Sequence, residues 1–264
     1  MDKVGEIIEN KKKIMVKLKD KKPLNEIKKE AEDFVSTRDK KFRFQEKFNN
    51  IKGTKLIAEF KPASPSKGNI SSVKVEDIIK IYNESPVDMI SCLTEELYFK
   101  SNLNNLKKAV KITNKPILRK DFFIDEYMIY EAALNGASCI LLISNLDIDI
   151  EEYKNIASDL GLDYIIECHN KEEIEFANDI KAPIIGINNR NLADFTIDFN
   201  TTKNLGKLVD GYLISESGVE TTNDAKILKS YGADALLIGT SLLKNKNDIE
   251  TKNFIKDLNK VLKN

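Results

Sequence analysis

Residues 57–68 have the sequence IAEFKPASPSKG, which begins as a buried strand and ends as a polar turn. Because alternate residues of a strand share a face, Ile57, Glu59 and Lys61 point one way and their apolar neighbours the other. A carboxylate and an ammonium group therefore lie side by side at the end of an apolar strand, where an unpaired charge is costly. The following hydroxyls, lysine and glycine suit a phosphate, although a solvated ion pair and an ordinary turn would explain the same pattern.

Seven further strands follow along the chain, and an amphipathic helix follows each of the eight. The predicted strands, numbered 1 to 8, are 55–61, 88–94, 116–120, 138–144, 163–167, 183–188, 212–216 and 235–238. The predicted helices are 75–83, 103–112, 126–135, 150–160, 171–178, 201–208, 223–231 and 249–262. Strands apolar on both faces are typical of parallel strands covered by helices. The pattern predicts an α/β fold, a (β/α)8 TIM barrel. The alternative is a doubly wound sheet, but no G-x-G-x-x-G follows the first strand.

Residues 1–50 are highly charged and carry two apolar stripes at helical spacing, one on each side of Pro23. Ile7 and Met15 belong to the first stripe, and Ile27 and Phe34 to the second. We expect a helical N-terminal extension that covers the barrel, so that residues 1–264 form a single domain. The lysine run at residues 11–13 is expected to be solvated.

The composition excludes several classes of function. Lys+Arg and Asp+Glu are 42 each, a balance that argues against nucleic-acid or membrane-surface partners. No apolar run could span a bilayer and residues 1–13 lack a signal-peptide core, so we expect a cytoplasmic protein. Three separated cysteines and one histidine argue against disulfides, a metal site and a Ser-His-Asp triad. We expect no metal. His169 sits two residues past Glu167, and we expect it to be a solvent-exposed loop residue; the alternative is a group that supports Glu167 without touching a ligand.

Charged and polar residues gather at the C-terminal ends of the predicted strands, where barrel enzymes carry their active sites. A ring of three acids could there face three bases: Glu59, Glu167 and Glu216 against Lys61, Lys120 and Arg190. Such coupling perturbs pKa values, which acid–base catalysis uses. Each residue alone could belong to a structural ion pair, but charges at so many strand ends favour a site.

The ends of strands 7 and 8 predict a phosphate site. Ser217, Gly218, Gly239 and Thr240 offer small side chains and backbone N–H groups, and residues 240–243 have the pattern of a short extra helix. Two glycines in ordinary strand-to-helix turns are the alternative. With the phosphate held there, the turn at residues 64–68 is expected to act as a mobile lid that adds a hydroxyl contact.

These segments together resemble the indole-3-glycerol-phosphate synthase family of tryptophan biosynthesis. The matching motifs, in family order, are IAEFKPASPSKG, SCLTEELYF, PILRKDFFIDEYMIYEA, GASCILLI, IIECHN, GINNRNL, ISESGV and GADALLIGTSLL. The first and third are specific, whereas the last two resemble the endings of other phosphate-binding barrels. The resemblance implies a carboxy-lyase without a cofactor. Its substrate, 1-(2-carboxyphenylamino)-1-deoxyribulose 5-phosphate, is a small anion that yields indole-3-glycerol phosphate, CO2 and water.

The resemblance also implies roles for individual residues. Lys120 would protonate the ketone oxygen, Lys61 would pair with the substrate carboxylate, and Glu167 would complete the dehydration. The other implied contacts are Glu59 and Asn188 at the sugar hydroxyls, Arg190 near the carboxylate, Glu216 in a polar wall, Ser64, Ser217, Gly218, Gly239 and Thr240 at the phosphate, and Phe99, Phe122, Leu141, Ile143 and Leu192 around the aromatic ring. A lysine among other cations is expected to have a lowered pKa, which suits an acid near neutral pH.

Two other functions remain as alternatives. One is another phosphate-binding barrel, such as phosphoribosylanthranilate isomerase, whose acid–base pair is usually a cysteine and an aspartate. Neither residue type stands at the end of strand 1 or strand 6 here. The other is a barrel without catalysis that serves as a scaffold, but such a barrel would gain stability by losing its buried charges. We expect a monomer, with a homodimer as the alternative.

Overall fold

The computed structural model describes residues 3–38, 40–49, 53–191, 194–244 and 247–264. Eight parallel strands close into a barrel in the order 1-8-7-6-5-4-3-2. They are strand 1 Lys55–Phe60, strand 2 Met89–Leu93, strand 3 Ile117–Lys120, strand 4 Cys139–Ile143, strand 5 Asp163–Cys168, strand 6 Ile184–Asn188, strand 7 Tyr212–Glu216 and strand 8 Ala235–Ile238. The predicted (β/α)8 barrel is therefore confirmed. The turn after strand 1 forms a small hairpin from Ala63–Ser64 and Gly68–Asn69.

Helices cover the outside of the barrel and form the extension. The extension holds α1 Lys3–Lys21, α2 Leu24–Ser36 and α3 Glu46–Asn49. The barrel helices are α4 Val75–Glu84, α5 Leu103–Ile112, α6 Tyr127–Leu134, α7 Ile150–Asp159, α8 Lys171–Asp179, α9 Asn200–Leu205, α10 Thr222–Ser230 and α12 Asp248–Lys263, with the short α11 Thr240–Leu243 before the last. The predicted helix 201–208 is wrong at its end, because a 3-10 turn, Gly206–Leu208, replaces its last residues.

Local capping explains where several helices begin. The side chains of Asn102, Asp149, Asn170 and Asn247 each accept a hydrogen bond from a backbone N–H in the first turn of the following helix. Thr221 does the same in a reciprocal capping box at α10.

The strands are buried on both faces, which creates two apolar layers. Ile57, Leu118, Ile165 and Ile214 belong to the inner layer that fills the barrel. Leu56 and the other residues of opposite parity pack outward beneath the helices. Because Glu59 has the parity of Ile57, its carboxylate points to the barrel axis, as the alternation predicts.

The extension closes the N-terminal end of the barrel. Phe44 is fully buried within the inner layer, and Phe48 stacks on Tyr212 with ring centroids 4.6 Å apart. Asp163 Oδ2 accepts hydrogen bonds from the backbone N–H groups of Phe44 at 2.8 Å and Gln45 at 3.1 Å. The segment after α2 is thus a floor for the barrel, and it belongs to the extension predicted for residues 1–50.

Helix α1 lies over the opposite end and is held by a buried ion pair. Lys11 is 1% exposed, and its Nζ lies 2.8 Å from Asp121 Oδ1 and 2.8 Å from Glu96 Oε2. The expectation that residues 11–13 are solvated is therefore wrong for Lys11. Phe34 was also misplaced, because it is 39% exposed while Val35 packs inward in α2.

Two further features follow from the folded chain. Cys92, Cys139 and Cys168 are buried and form no disulfide. Among the helices in the described part of the chain, none is long and apolar enough to cross a membrane.

Candidate active site

A cavity opens at the C-terminal ends of the strands and brings most of the predicted residues together. Its lining includes Glu59, Lys61, Ser64, Phe99, Lys120, Phe122, Asn188, Arg190, Glu216, Ser217, Gly218, Gly239 and Thr240. They come from loops and strand ends far apart in sequence, because the barrel gathers its carboxyl ends at one rim.

Lys120 lies between two buried carboxylates. Its Nζ donates a hydrogen bond to Glu216 Oε2 and lies 3.6 Å from Glu167 Oε2. The Glu216 and Glu167 side chains are 1% and 4% exposed. Gly186 makes room for this arrangement, because a Cβ there would come within 2.7 Å of Glu216 Oε1. Strands 3, 5, 6 and 7 therefore all contribute to the position of one ammonium group.

The acids around Lys120 keep it protonated. Burial favours the neutral amine, but the charges of Glu216, Glu167 and Glu59 outweigh burial and raise the pKa of Lys120 above its ordinary value. The predicted lowering of a catalytic lysine's pKa is therefore wrong for Lys120, because its close neighbours are carboxylates and not cations.

The two carboxylates on Lys120 differ in their affinity for a proton. Burial alone would raise the pKa of Glu167, but Lys120, His169 and Asn188 lower it well below the ordinary value. Among the described residues, Lys120 is the cation that contacts Glu216, and burial together with the charges of Glu167 and Glu59 raises the pKa of Glu216. Lys120 thus lies between a firmly ionised carboxylate and one that holds a proton more readily.

Glu59 and Lys61 form a second ion pair at the end of strand 1. Glu59 Oε1 lies 2.5 Å from Lys61 Nζ, and Ser91 Oγ donates to Glu59 Oε2 at 3.2 Å. The strand 8 turn packs closely on this carboxylate, since a Cβ at Gly239 would lie 2.7 Å from Glu59 Oε1. Glu59 is therefore held rigidly, whereas Lys61 reaches the cavity.

Arg190 does not belong to the ring of alternating charges that the sequence predicted. Its Nη1 donates to the Phe195 carbonyl at 3.1 Å and its backbone N–H to Asn188 Oδ1 at 3.0 Å. It forms no ion pair with any carboxylate in the described parts of the chain. Burial lowers its pKa, and Glu220 partly opposes this effect. Arg190 on the cavity wall is therefore available for an anionic ligand.

His169 contacts Glu167, one of the carboxylates that Arg190 was expected to face. Its Nε2 lies 3.2 Å from Glu167 Oε1, without the angle of a good hydrogen bond, and its Nδ1 lies 3.2 Å from Glu173 Oε2. The side chain is 17% exposed, so the expectation of a solvent-exposed loop histidine is wrong. Strand parity could have indicated this contact, since His169 follows Glu167 by two residues. Asn188 Nδ2 completes the surroundings of Glu167 at 3.3 Å from Oε1.

The predicted phosphate end of the cavity has an unusual backbone. Ser217 and Gly218 both adopt positive φ, 67° and 100°, and a Cβ at Gly218 would lie 2.5 Å from the Phe199 ring. This turn needs glycine for both reasons. Gly239 and Thr240 face it at the start of α11.

The hairpin after strand 1 borders the same end of the cavity. Ser64 Oγ accepts a hydrogen bond from Lys67 N–H at 3.2 Å, and Lys67 Nζ lies 3.1 Å from Glu220 Oε1. The Ser64 hydroxyl thus already stabilises its own turn.

The apolar side of the cavity differs in part from the prediction. Phe99 and Phe122 lie together with ring centroids 6.5 Å apart. Leu141 and Ile143 are buried in the inner layer below, and are not among the residues that line the cavity. Leu192 lies outside the described residues.

Several wall residues were missed from sequence. They are Lys3, Val4 and Ile7 of α1, Phe195 and Ile197 after strand 6, and Glu220 near the phosphate end. The apolar stripe of α1 was visible, but which surface it covers depends on how the helix docks. In the described ranges, no group of His, Cys, Asp and Glu side chains is arranged to hold a metal ion.

Known proteins resemble this chain over nearly its whole length. A family model described as indole-3-glycerol phosphate synthase matches residues 4–258. A protein of that name from Thermoanaerobacter sp. (strain X514) is 41% identical over 262 residues, which cover 96% of this chain and 97% of the relative. Another from Clostridium kluyveri is 43% identical over 247 residues, 89% of this chain and 94% of the relative.

Solved structures of lower sequence identity share the fold. A thiamine phosphate pyrophosphorylase from Pyrococcus furiosus has a TM-score of 0.62 at 14% identity, covering 83% of this chain and 97% of its own. A tryptophan synthase from M. tuberculosis has a TM-score of 0.63 at 12% identity, covering 83% of this chain and 99% of its own. At such identities the likeness supports the barrel architecture and nothing finer.

Proposed function

The chain belongs to the indole-3-glycerol-phosphate synthase family, and we propose that its barrel mouth carries out that family's reaction. The reaction converts 1-(2-carboxyphenylamino)-1-deoxyribulose 5-phosphate to indole-3-glycerol phosphate with loss of CO2 and water, a carboxy-lyase step of tryptophan biosynthesis. The observation that carries the proposal is Lys120, a half-buried cation held between Glu167 and Glu216 on the wall of a cavity. Arg190, which has no carboxylate partner among the described residues, lines the same cavity.

Ring closure needs a proton donor. The ring carbon that bears the carboxylate attacks the ketone, and the ketone oxygen gains negative charge. Lys120 donates a proton to this oxygen, and its raised pKa keeps it charged beforehand. The developing alkoxide is the stronger base, so the transfer is favourable. Glu216, which holds a proton readily, returns one to Lys120 through their hydrogen bond.

Decarboxylation needs the carboxylate held in position. Arg190 and Lys61 are the cations assigned to it, because Arg190 lacks a carboxylate partner and Lys61 reaches the cavity from its pair with Glu59. The carbon–carboxylate bond breaks, CO2 leaves, and the bonding electrons restore the aromatic ring.

Dehydration then forms the second double bond of the five-membered ring. Lys61 protonates the departing hydroxyl, and the Glu167 carboxylate accepts a proton from the neighbouring ring carbon. The low pKa of Glu167 keeps it ionised for this task. Glu59 and Asn188 hold the sugar hydroxyls. Two protons are donated and one is accepted, which balances the loss of CO2 from a carboxylate.

The two ends of the substrate match the two ends of the cavity. The phosphate is assigned to the backbone and hydroxyls of Ser217, Gly218, Gly239 and Thr240, with Ser64 above them. The aromatic ring is assigned to Phe99 and Phe122. A ligand with a carboxylate on its aromatic ring and a phosphate at the end of its sugar chain explains why cations, glycine turns and phenylalanines share one cavity.

A fluorescence assay tests the proposal. The purified protein is incubated with the synthetic substrate, without added metal or nucleotide, and formation of the fluorescent indole product is followed. We expect turnover by the wild type and none above buffer by Lys120→Met, which controls for contaminating enzyme. No product from folded wild-type protein would refute the proposal.

A further inference from the structure

His169 is a charged contact of the active site that the reaction described above leaves without a task. It lies just beyond strand 5, on the side of Glu167 away from Lys120. The His169 ring nitrogens lie 3.2 Å from Glu167 and 3.2 Å from Glu173, so the imidazole bridges two carboxylates. Only one of these carboxylates, Glu167, touches Lys120.

Glu173, the second carboxylate that the imidazole contacts, is held by hydrogen bonds from neighbouring residues. Glu173 Oε2 accepts hydrogen bonds from the backbone N–H of His169 at 2.7 Å and from the Ser144 hydroxyl, and Glu173 Oε1 accepts from Asn170 Nδ2 at 2.7 Å. Asn170 in turn caps α8 by accepting from the Glu173 N–H at 2.9 Å. Glu173 is thus held in place at a strand end and a helix start, and the imidazole cannot turn away from Glu167 without losing its own contact with Glu173.

The geometry points to His169 as a positioning residue that keeps Glu167 ionised beside Lys120 and leaves Glu216 as the proton-holding carboxylate of the pair. One ammonium group cannot neutralise two buried carboxylates. A second cation that contacts Glu167 favours the charged form of Glu167 over that of Glu216. The inference rests on the proposed function for the consequence in catalysis, whereas the charge relation itself can be measured without turnover.

The charges facing His169 favour its imidazolium form. Glu167 faces it from strand 5 and Glu173 from α8, while Lys120 lies beyond Glu167. Burial lowers the pKa of His169, but the two carboxylates outweigh burial and raise the pKa to about 9. His169 is therefore a cation at neutral pH.

The first test needs no enzyme activity. His169 is the single histidine of the sequence, so tag-free protein gives one set of imidazole NMR signals. We expect these signals to titrate near pH 9, and we expect Glu167→Gln and Glu173→Gln each to lower the midpoint by at least about one pH unit. A wild-type midpoint at or below the ordinary value of about 6.5 would overturn the inference.

The second test measures the catalytic consequence. His169→Gln removes the cation but keeps a polar side chain. We expect kcat to fall at least about tenfold with KM changed less than about twofold, because Glu167 loses its support and substrate contacts remain. The acid limb of the kcat–pH profile should move up by at least about one unit, since the pKa of Glu167 rises without the imidazolium.

Lys171→Gln is the matched control, because Lys171 lies two residues further on and its ion pair with Glu175 is exposed. It should leave the rate and the pH profile unchanged. A folded His169→Gln variant with the wild-type acid limb would overturn the inference. If that variant does not fold, Glu173→Gln decides, because a wild-type acid limb together with an unmoved NMR midpoint would also overturn it. Absence of turnover in the wild type would count against the proposed function, and the NMR titration would still decide the charge relation.

Discussion

Replacement of Lys120 by methionine shows how much the ammonium group contributes to stability and how much it contributes to turnover. Methionine keeps an unbranched chain of similar length and removes only the ammonium group. In the wild type this group contacts both Glu167 and Glu216, whose side chains are 4% and 1% exposed. After the substitution, two buried carboxylates remain with only His169 as a cation on the Glu167 side.

The size of the effect follows from this burial. Removing one partner of a buried ion pair typically costs about 3–5 kcal/mol, because the other charge is left uncompensated. The loss should be large near pH 8 and smaller near pH 5. Burial raises the pKa of Glu216 above that of the unfolded chain, and loss of the ammonium group raises it further, so the folded variant binds a proton more tightly and loses stability as the pH rises.

The assay combines unfolding and turnover. Urea unfolding followed by circular dichroism at the two pH values gives the change in unfolding free energy. Adding Glu216→Gln to the Lys120→Met variant removes the carboxylate that lacks another cation, and should recover more than half of the lost stability. It should not recover turnover, since loss of a general acid costs about 100-fold or more in kcat. Lys171→Met makes the same chemical change at an exposed helix position, and should stay within about 0.5 kcal/mol of wild type.

Two results would refute this reasoning. A Lys120→Met variant with unchanged stability at both pH values would mean that the carboxylates are solvated or already neutral. A variant with near-normal kcat would mean that another group is the acid.

Three further predictions follow from the structure. Asp163 is buried, and burial raises its pKa from 3.8 to about 6. The fold therefore loses ~3 kcal/mol of stability as the pH rises through this range and Asp163 ionises. Asp163→Asn should remove this pH dependence in urea unfolding, and an unchanged profile would contradict the prediction. Thr240→Asp should repel the phosphate and raise KM at least about tenfold with little effect on kcat, whereas Thr240→Ser should leave KM unchanged. If steady-state kinetics give the same KM for Thr240→Asp and the wild type, the phosphate binds elsewhere. Lys11→Met leaves buried Asp121 without its cation from α1 and should cost about 3 kcal/mol in urea unfolding, while wild-type stability would mean that this pair does not hold the helix.

Much of the fold and part of the site could be predicted from the sequence. The strand bounds were predicted to within one residue at each end, because the apolar runs and the flanking polar turns are local. Strand parity placed Ile57 and Glu59 on the inner side of the barrel, and Leu56 on the outer side. The same parity allows His169 to contact Glu167, which was the alternative interpretation of this residue; the expected solvent exposure of His169 is wrong.

The pairing of charges could not be predicted in the same way. His169 contacts Glu167 whereas Arg190 donates to the Phe195 carbonyl, because the position of a side chain depends on loops and helices distant in sequence. Lys11 was taken as solvated because its partner Asp121 lies 110 residues further along the chain. The direction of the Lys120 pKa was wrong for the same reason, since its sign depends on which charges lie nearest.

The segment IAEFKPASPSKG by itself determined a strand whose Glu59 and Lys61 share one face, because the two-residue period belongs to the covalent chain. It also determined that both groups stand at the carboxyl end of that strand. Only the tertiary structure decided that Glu59 is clamped between Ser91 and the turn at Gly239 while Lys61 reaches the cavity. Electrostatic energies depend on distance and burial across the whole barrel, and neither is set before all eight strands have closed.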